Sequence, residues 1–208
     1  MRFRFQTMFL ASALGASVHW VDGVVRNDDL LVRWSFDEGN GSIAHDATGN
    51  GVDATIYGGG QWGSGISRNA LDLAGNSGWA EAGPHDNLKA QQEHTIALWF
   101  KSAATQQDWT QLLSKRENIS SPYFVQFDQG GNSAKVYYRF QASYLDGGSF
   151  SVSHGSWNHL VATYDGNKFK TYLNGLIFSS VGEMRNIDQD NGKLGIGGFC
   201  VANSPPCV

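Results

Sequence analysis

The chain has 208 residues, of which 41% are hydrophobic, enough for one sizeable core and too few for two. Its formal net charge is −4, and its 15 basic residues are spread along the chain without a concentrated positive stripe, which argues against nucleic acid as a partner. The 26 glycines and 4 prolines separate short runs rich in Val, Ile, Tyr, Phe and Trp, a composition typical of an all-β protein.

Residues 1–23 have the pattern of a secretory signal peptide. Arg2 and Arg4 precede a short apolar run, residues 8–16, which contains small residues. This run is too short to span a membrane. Cleavage after Ala16 or after Gly23 fits the small-residue requirement, and a misassigned start codon is the alternative. We predict a protein that is secreted to the extracellular space or the periplasm, with its folded domain in residues 24–208.

Turn residues divide the rest of the chain into short strands. Segments such as "YGGGQWGSG", "DQGGNS" and "YLDGGS" supply glycines that can take positive φ in turns. The predicted strands up to residue 142 are Leu30–Phe36, Val52–Tyr57, Ala70–Leu73, Trp79–Ala82, Thr95–Lys101, Gln111–Lys115, Tyr123–Asp128 and Lys135–Ala142. Helical periodicity is hard to find anywhere in the chain.

A three-strand meander is predicted over residues 157–181. Its turns are Asp165-Gly166 and Asn174-Gly175, and Asn-Gly between apolar runs is a strong hairpin signal. Alternation places Trp157 and His159 on one face of the first strand. Since both faces of that strand are largely apolar, we expect it to be covered on both sides, with Trp157 in the core, as Trp99 of "IALWF" is also expected to be.

The motifs along residues 30–198 resemble a laminin-G-like (LamG-like) jelly-roll domain of the concanavalin A-like lectin/glucanase superfamily. They are "LLVRWSFDEGNGSIAHDATGNGVDATIYGG", "GISRNALDLAGNSGWAEAG", "TIALWFK", "LLSK", "SWNHLVATYDGNKFKTYLNG" and "KLGIGG", in the family's order. The resemblance implies a two-sheet antiparallel β-sandwich. The family usually closes with a strand resembling Phe-x-Gly-x-Ile-Asp-Glu-Val-Arg-Ile-Tyr, which is absent here. We therefore expect a domain that is C-terminally truncated relative to the family, with an exposed edge along Leu30–Phe36.

A calcium site is one hypothesis for the loop region "FDEGNGSIAHDATGNGVD". Its candidate ligands are Asp37, Asp46, Asn50 and Asp53, because such a density of hard oxygens suits Ca²⁺, and the resemblance implies that a structural calcium is often held near these loops. An EF-hand is rejected because Tyr57 stands where that loop needs a bidentate glutamate. The alternative is a set of Asx-turns that satisfy their own backbone.

Three tryptophans beside turns are candidates for binding a ligand. The flat faces of Trp62, Trp79 and Trp109 could stack on sugar rings; the alternative is that each packs into an end of the sandwich. In an exported protein, Cys200 and Cys207 are predicted to form a disulfide that closes a small Pro-Pro loop, since metal binding would need partners that this tail lacks.

No enzyme motif stands out. A glycosidase needs two carboxylates that flank the scissile bond, but the 5 glutamates are scattered singly. His159 has no nucleophile or carboxylate at catalytic spacing. We predict a secreted, non-catalytic binding module that recognises carbohydrate or a protein surface and has no membrane span. The alternatives are a glycan-degrading enzyme of the same superfamily and a purely structural fragment of a larger protein.

Overall fold

A computed structural model describes residues 3–11, 30–73, 78–90, 92–103, 106, 108–117 and 120–198. Within them the chain forms strands and a 3₁₀ turn, Asp86–Leu88. The strands are β1 (Phe3–Ala11), β2 (Leu30–Trp34), β3 (Ile43–Ala44), β4 (Ala54–Tyr57), β5 (Gln61–Ser64), β6 (Asn69–Leu73), β7 (Trp79–Ala82), β8 (Glu93–Ser102), β9 (Gln111–Glu117), β10 (Ser120–Phe127), β11 (Ser133–Phe140), β12 (Ser143–Ser151), β13 (Trp157–Asp165), β14 (Lys168–Leu173), β15 (Leu176–Gly182) and β16 (Lys193–Ile196). No helix in this part of the chain is long and apolar enough to cross a lipid bilayer.

The strands form two antiparallel sheets of eight strands each. Sheet A has the order β15-β14-β13-β8-β1-β6-β5, and β2 also pairs with β1; sheet B has the order β12-β11-β10-β9-β16-β7-β4-β3. One continuous apolar core contains buried residues of both sheets. The predicted fold class, an all-β antiparallel sandwich, is therefore confirmed.

Strict alternation of side chains determines which face of each strand enters this core. In β11, Ala134, Val136, Tyr138 and Phe140 are all fully buried, while the residues between them are partly exposed. The same alternation holds in β13 over Asn158–Tyr164, whose even-numbered residues are buried.

The outer face of sheet A corrects one prediction. Trp99, Trp157 and His159 are only partly buried, and the rings of Trp99 and His159 stack at 4.6 Å. A two-layer sandwich covers one face of each sheet, so β13 is not enclosed on both sides. The expectation that Trp99 and Trp157 lie in the core was wrong, because apolar composition on both faces of a strand does not show which face is covered.

The expected edge along Leu30–Phe36 is occupied. β1 pairs with β2 from Met8↔Trp34 to Ala11↔Leu30, so the backbone of β2 has a neighbour. β2 ends at Trp34, and Phe36 has a φ of 57°, which takes it out of the extended conformation. β1 lies within the predicted signal peptide, whose cleavage stays a prediction.

The glycines of "YLDGGS" lie inside a strand instead of a turn. β12 runs from Ser143 to Ser151 and contains Gly147 and Gly148. A Cβ on Gly147 would lie 2.3 Å from the ring of Phe169, so a glycine is needed where β12 approaches sheet A. The turn prediction was wrong because this glycine serves close packing.

A histidine lies in the centre of the core. His94 is 1% exposed, its Nδ1 lies 3.1 Å from the Tyr138 hydroxyl, and its ring lies 4.9 Å from that of Tyr123. Its Nε2 has no hydrogen-bond partner among the described residues. Burial lowers the pKa of His94 to about 3, because the charged form would lose its hydration.

This histidine predicts a pH dependence of folding. Below pH 6.5 the unfolded chain protonates His94, whereas the folded chain does not until about pH 3. The contribution of His94 to the free energy of unfolding is therefore most favourable above pH 6.5 and is lost progressively as the pH falls from 6.5 to about 3. One such group changes the free energy of unfolding by at most about 1.4 kcal/mol per pH unit. The free energy of unfolding is measured by urea titration from pH 7 to 4. In the double variant His94→Phe/Tyr138→Phe it should fall less steeply with decreasing pH than in the unsubstituted protein. Parallel curves for the two proteins would contradict the assignment.

Candidate functional site

The outer face of sheet B carries an unbroken row of cross-strand partners. Each member pairs with the next across neighbouring strands, from β3 to β12. The row consists of Ile43, Thr55, Glu81, Gly195, Ser114, Phe124, Tyr137 and Asp146. Residues directly opposite each other on one face lie close enough for their side chains to meet. The row is therefore continuous across the sheet, although Ser114 and Gly195 in its middle are buried.

Two aromatic rings stack beside one half of this row. Tyr57 and Trp79 are cross-strand partners of β4 and β7, and their rings lie 5.1 Å apart with an interplanar angle of 20°. Tyr57 is 41% exposed. The Nε1 of Trp79 is buried without a hydrogen-bond partner among the described residues. This pair, Tyr57 and Trp79, is called the first aromatic group.

The other half of the row holds a second aromatic group, formed by Phe124, Tyr137 and Tyr144. Phe124 and Tyr137 stack at 4.7 Å, and Tyr144 meets Phe124 edge-on at 5.4 Å. The guanidinium of Arg139 lies 5.9 Å from the centre of the Tyr144 ring, within cation–π range. Tyr144 is 47% exposed.

Small residues separate the two groups. Gly195 and Ser114 are partners in the middle of the row, so no large side chain of the row stands between the aromatic groups. Trp79 and Phe124 lie on strands three positions apart in sheet B, which corresponds to about 14 Å. The two aromatic groups and the residues of the row between them are called the track. In its middle Ser114 is 0% exposed and Gly195 is also buried, so the exposed parts of the track are its two aromatic groups and the charged side chains beside them.

Charged groups line the same face. The ammonium of Lys193 donates to the carboxylate of Glu81, and this hydrogen bond is the main reason why the pKa of Lys193 is raised. Lys135 donates to Asp146 at 2.9 Å. These groups can donate and accept hydrogen bonds toward a bound hydroxyl-rich molecule.

Sequence reasoning identified one member of this face, Trp79. Trp109 is 57% exposed and lies two residues before β9, at the end of sheet B where β7 begins. Trp62 lies on β5 of sheet A, and its indole N–H donates to the carbonyl of Gly41 at 2.8 Å. The structure thus brings Trp79 and Trp109 to the same end of one sheet and places Trp62 on the other sheet.

Four aromatic residues of this face, Tyr57, Phe124, Tyr137 and Tyr144, were missed by sequence reasoning. Alternation could have found Phe124 and Tyr137, because each adjoins a buried valine, Val125 or Val136. Tyr144 could not be found in this way, since β12 was taken for a turn.

Asp46, the first predicted calcium ligand, is 8% exposed and accepts several hydrogen bonds. The backbone N–H groups of Arg33 and Thr48 donate to its Oδ1, both at 3.0 Å, and that of Val52 donates to its Oδ2 at 3.2 Å. The Thr48 hydroxyl lies 2.8 Å from both oxygens. A carboxylate held in this way organises its own loop, as an Asx-turn does.

Two further predicted ligands also hold the loop together. Asp53 accepts from the backbone N–H of Asp46 at 2.8 Å and lies 2.9 Å from the Nδ1 of His45. The hydrogen bond from Asp46 is the main reason why the pKa of Asp53 is lowered. The side-chain amide of Asn50 donates to the carbonyl of Leu31 at 3.0 Å.

The fourth predicted ligand, Asp37, lies beside a different strand. Its Oδ1 accepts from the backbone N–H of Asn69 at 3.3 Å. Within the part of the chain that the structure describes, no three acidic, histidine or cysteine side chains are arranged to hold a metal ion. The side chains of Asp37, Asp46, Asn50 and Asp53 form hydrogen bonds within and beside their loops, and calcium stays an untested prediction. Cys200 and Cys207 lie outside the described residues.

Among the residues that the structure describes, one serine and one histidine lie within hydrogen-bond distance of each other through their side chains. The hydroxyl of Ser102 lies 2.8 Å from the Nδ1 of His154, but Ser102 is 1% exposed, and the Nε2 of His154 has no partner among the described residues. A nucleophile needs access to its substrate and a base oriented by a third group. This pair offers neither.

Comparisons with known proteins agree with the observed architecture. A laminin G family model, described as the concanavalin A-like lectin/glucanases superfamily, matches residues 74–201. Domain 4 of AbnA, a GH43 extracellular arabinanase from Geobacillus stearothermophilus solved with arabinotriose, superposes with a TM-score of 0.64 at 21% identity, over 85% of this chain and 86% of that one.

The binding domain of botulinum neurotoxin DC, solved in complex with SialylT, superposes with a TM-score of 0.62 at 13% identity, over 83% of this chain and 44% of that one. This chain therefore spans less than half of that toxin domain. At these identities the similarities establish the fold alone. None of the curated proteins matches the chain. Because the family model covers more than half of its residues, the chain belongs to the concanavalin A-like lectin/glucanases superfamily.

Proposed function

We propose that this domain is a secreted, non-catalytic module that binds a carbohydrate chain across the outer face of sheet B. The observation that carries the proposal is the track itself, with aromatic platforms at Tyr57 and Trp79 and at Phe124, Tyr137 and Tyr144. Aromatic faces stack on the apolar faces of sugar rings, and the charged side chains between and beside them can bind hydroxyl groups.

The charges of the track favour binding over cleavage. Glu81 and Asp146 are the acidic members of the row, and five strand spacings separate them, about 24 Å. A glycosidase places its two carboxylates about 5 to 10 Å apart. The carboxylate of Glu81 also forms an ion pair with Lys193. No second carboxylate of the row lies near it.

The similar folds support the ligand class. Domain 4 of the extracellular arabinanase was solved with arabinotriose, and the toxin domain with SialylT. Both are domains whose solved complexes contain a bound sugar. Secretion of the present chain is supported by its N-terminal pattern and by its similarity to a domain of an extracellular arabinanase.

A titration calorimetry panel tests the proposal. The full chain should bind at least one member of a set of arabino-, xylo- and gluco-oligosaccharides and sialylated glycans, and none of them should be hydrolysed on prolonged incubation. Absence of binding across the panel would favour a structural role, and release of reducing ends would favour the enzyme alternative.

Calcium is tested separately. The hydrogen bonds around Asp46 favour the Asx-turn alternative, so we expect the thermal midpoint to be unchanged by EDTA. A bound ion would stabilise the fold by about 2.7 kcal/mol at a concentration 100 times its Kd. A midpoint that drops with EDTA, recovers with CaCl₂ and no longer responds in Asp46→Asn would establish the calcium site.

A further inference from the structure

β1 fills a central position in sheet A. It pairs with β8 on one side, from Phe3↔Ser102 to Ala11↔Thr95. On its other side it pairs with β6 through residues 3–5 and with β2 through residues 8–11. Every part of β1 except the neighbourhood of Thr7 therefore has a strand on both sides.

β1 also contributes to the core. Met8 is fully buried and belongs to the same apolar cluster as Trp34 and Phe100. Without β1, the backbone of β8 would be unpaired over Thr95–Ser102 on that side, and β2 would lose the strand with which it pairs. Unpaired backbone N–H and C=O groups in the middle of a sheet can pair with another extended segment.

The pairings of β1 involve residues 3–11 only on its own side of the chain. Residues 12–29 lie outside the described part, and both predicted cleavage positions, after Ala16 and after Gly23, fall within them. A cut at either position would separate β1 from β2 covalently without removing any residue of the pairings described above.

We propose that the slot between β8 and the β2/β6 pair is a strand-binding site whose ligand is the segment of residues 3–11. The segment is held by main-chain pairing and by burial of Met8, in the manner of strand addition to a sheet. It therefore remains bound after the chain is cut behind it, and it exchanges with a second copy of the same segment.

A nicked protein tests this proposal. A site for a sequence-specific protease is inserted between Ala16 and Ser17 of the full chain, and the purified protein is cut under native conditions. The N-terminal fragment should co-elute with the remainder in size-exclusion chromatography. Excess fluorescent peptide of residues 1–16 should then replace it at a stoichiometry of one, whereas a scrambled peptide should not bind.

Two proline peptides provide a matched comparison. Leu10 pairs with both Val32 and Ile96, so Leu10→Pro removes a backbone N–H donor from a position that is paired on both sides. A peptide of residues 1–16 with Leu10→Pro should compete with the fluorescent peptide at least ~10-fold more weakly than the unsubstituted peptide does. Thr7 lies at the register shift and has no partner in any of the three pairings, so Thr7→Pro should compete more strongly than Leu10→Pro. Equal competition by both peptides would overturn the proposed mode of binding.

A cross-link tests the register in the uncut chain. Phe9 and Ala97 are directly opposite, within the Cα separation that a disulfide spans. With Cys200 and Cys207 changed to serine, Phe9→Cys/Ala97→Cys should form a disulfide under mild oxidation, and Phe9→Cys/Phe100→Cys should not. The proposal fails if the N-terminal fragment elutes separately while the remainder stays monomeric with an unchanged thermal midpoint.

Discussion

Replacing Lys115 by methionine is expected to destabilise the fold by about 3–5 kcal/mol. The Lys115 side chain is 1% exposed and the Asp190 side chain 6%. The Lys115 ammonium donates to the Asp190 carboxylate and, at 2.6 Å, to the carbonyl of Gly192. The substitution removes the cation and leaves the carboxylate buried. For a chain of this length the thermal midpoint should fall by ~10 °C.

Two comparisons separate this explanation from a general loss of packing. The double variant Lys115→Met/Asp190→Asn removes both charges and should recover part of the lost stability. Lys170 pairs with Asp165 at 3.5 Å on the surface, where the two side chains are 33% and 52% exposed, and Lys170→Met should cost less than about 1 kcal/mol. Equal losses in Lys115→Met and Lys170→Met would contradict a buried ion pair.

Replacing Trp79 by alanine is expected to weaken carbohydrate binding by at least ~10-fold, equivalent to about 1.4 kcal/mol. The substitution removes one aromatic platform and leaves Tyr57 without its stacking partner. Tyr137→Ala should have a similar effect at the second aromatic group. If one glycan chain spans both aromatic groups, the double variant Trp79→Ala/Tyr137→Ala should show no measurable binding in calorimetry.

The matched control for these variants is Trp99→Ala. Trp99 is also partly exposed and stacked on an aromatic neighbour, His159, but it lies on the outer face of sheet A. Trp99→Ala should therefore leave the affinity for the oligosaccharide unchanged. Thermal midpoints of all variants show whether each remains folded. A loss of affinity in Trp99→Ala with full affinity in Trp79→Ala would move the site to the other sheet.

The fold could be predicted because most of its elements are local. Alternating apolar residues and Asx-Gly turns specify β13, β14 and β15, and the observed bounds differ from the predicted ones by one residue at most. The central strand β1 could not be predicted, because its apolar run is equally typical of a signal peptide. Its role as a strand depends on long-range pairing with β8.

The candidate site could be predicted only in part. The role of Asp46 was open from sequence, because the same oxygens suit a metal or a turn, and only the positions of the backbone N–H groups distinguish the two. Trp79 was found by residue type alone. The aromatic track depends on the order of strands in sheet B, in which β16 lies between β7 and β9, and no local pattern encodes that order.

Chemical-shift mapping by NMR tests the central claim most directly. ¹⁵N-labelled full chain is titrated with the oligosaccharide that binds in calorimetry, and perturbations are followed for backbone amides and for the indole N–H groups. We predict that the largest changes occur at Trp79, Gly195, Phe124 and Tyr137, on four neighbouring or near-neighbouring strands of sheet B, while the indoles of Trp99 and Trp157 do not move. Changes confined to sheet A, or to the loop around Asp46, would contradict a carbohydrate track on the outer face of sheet B.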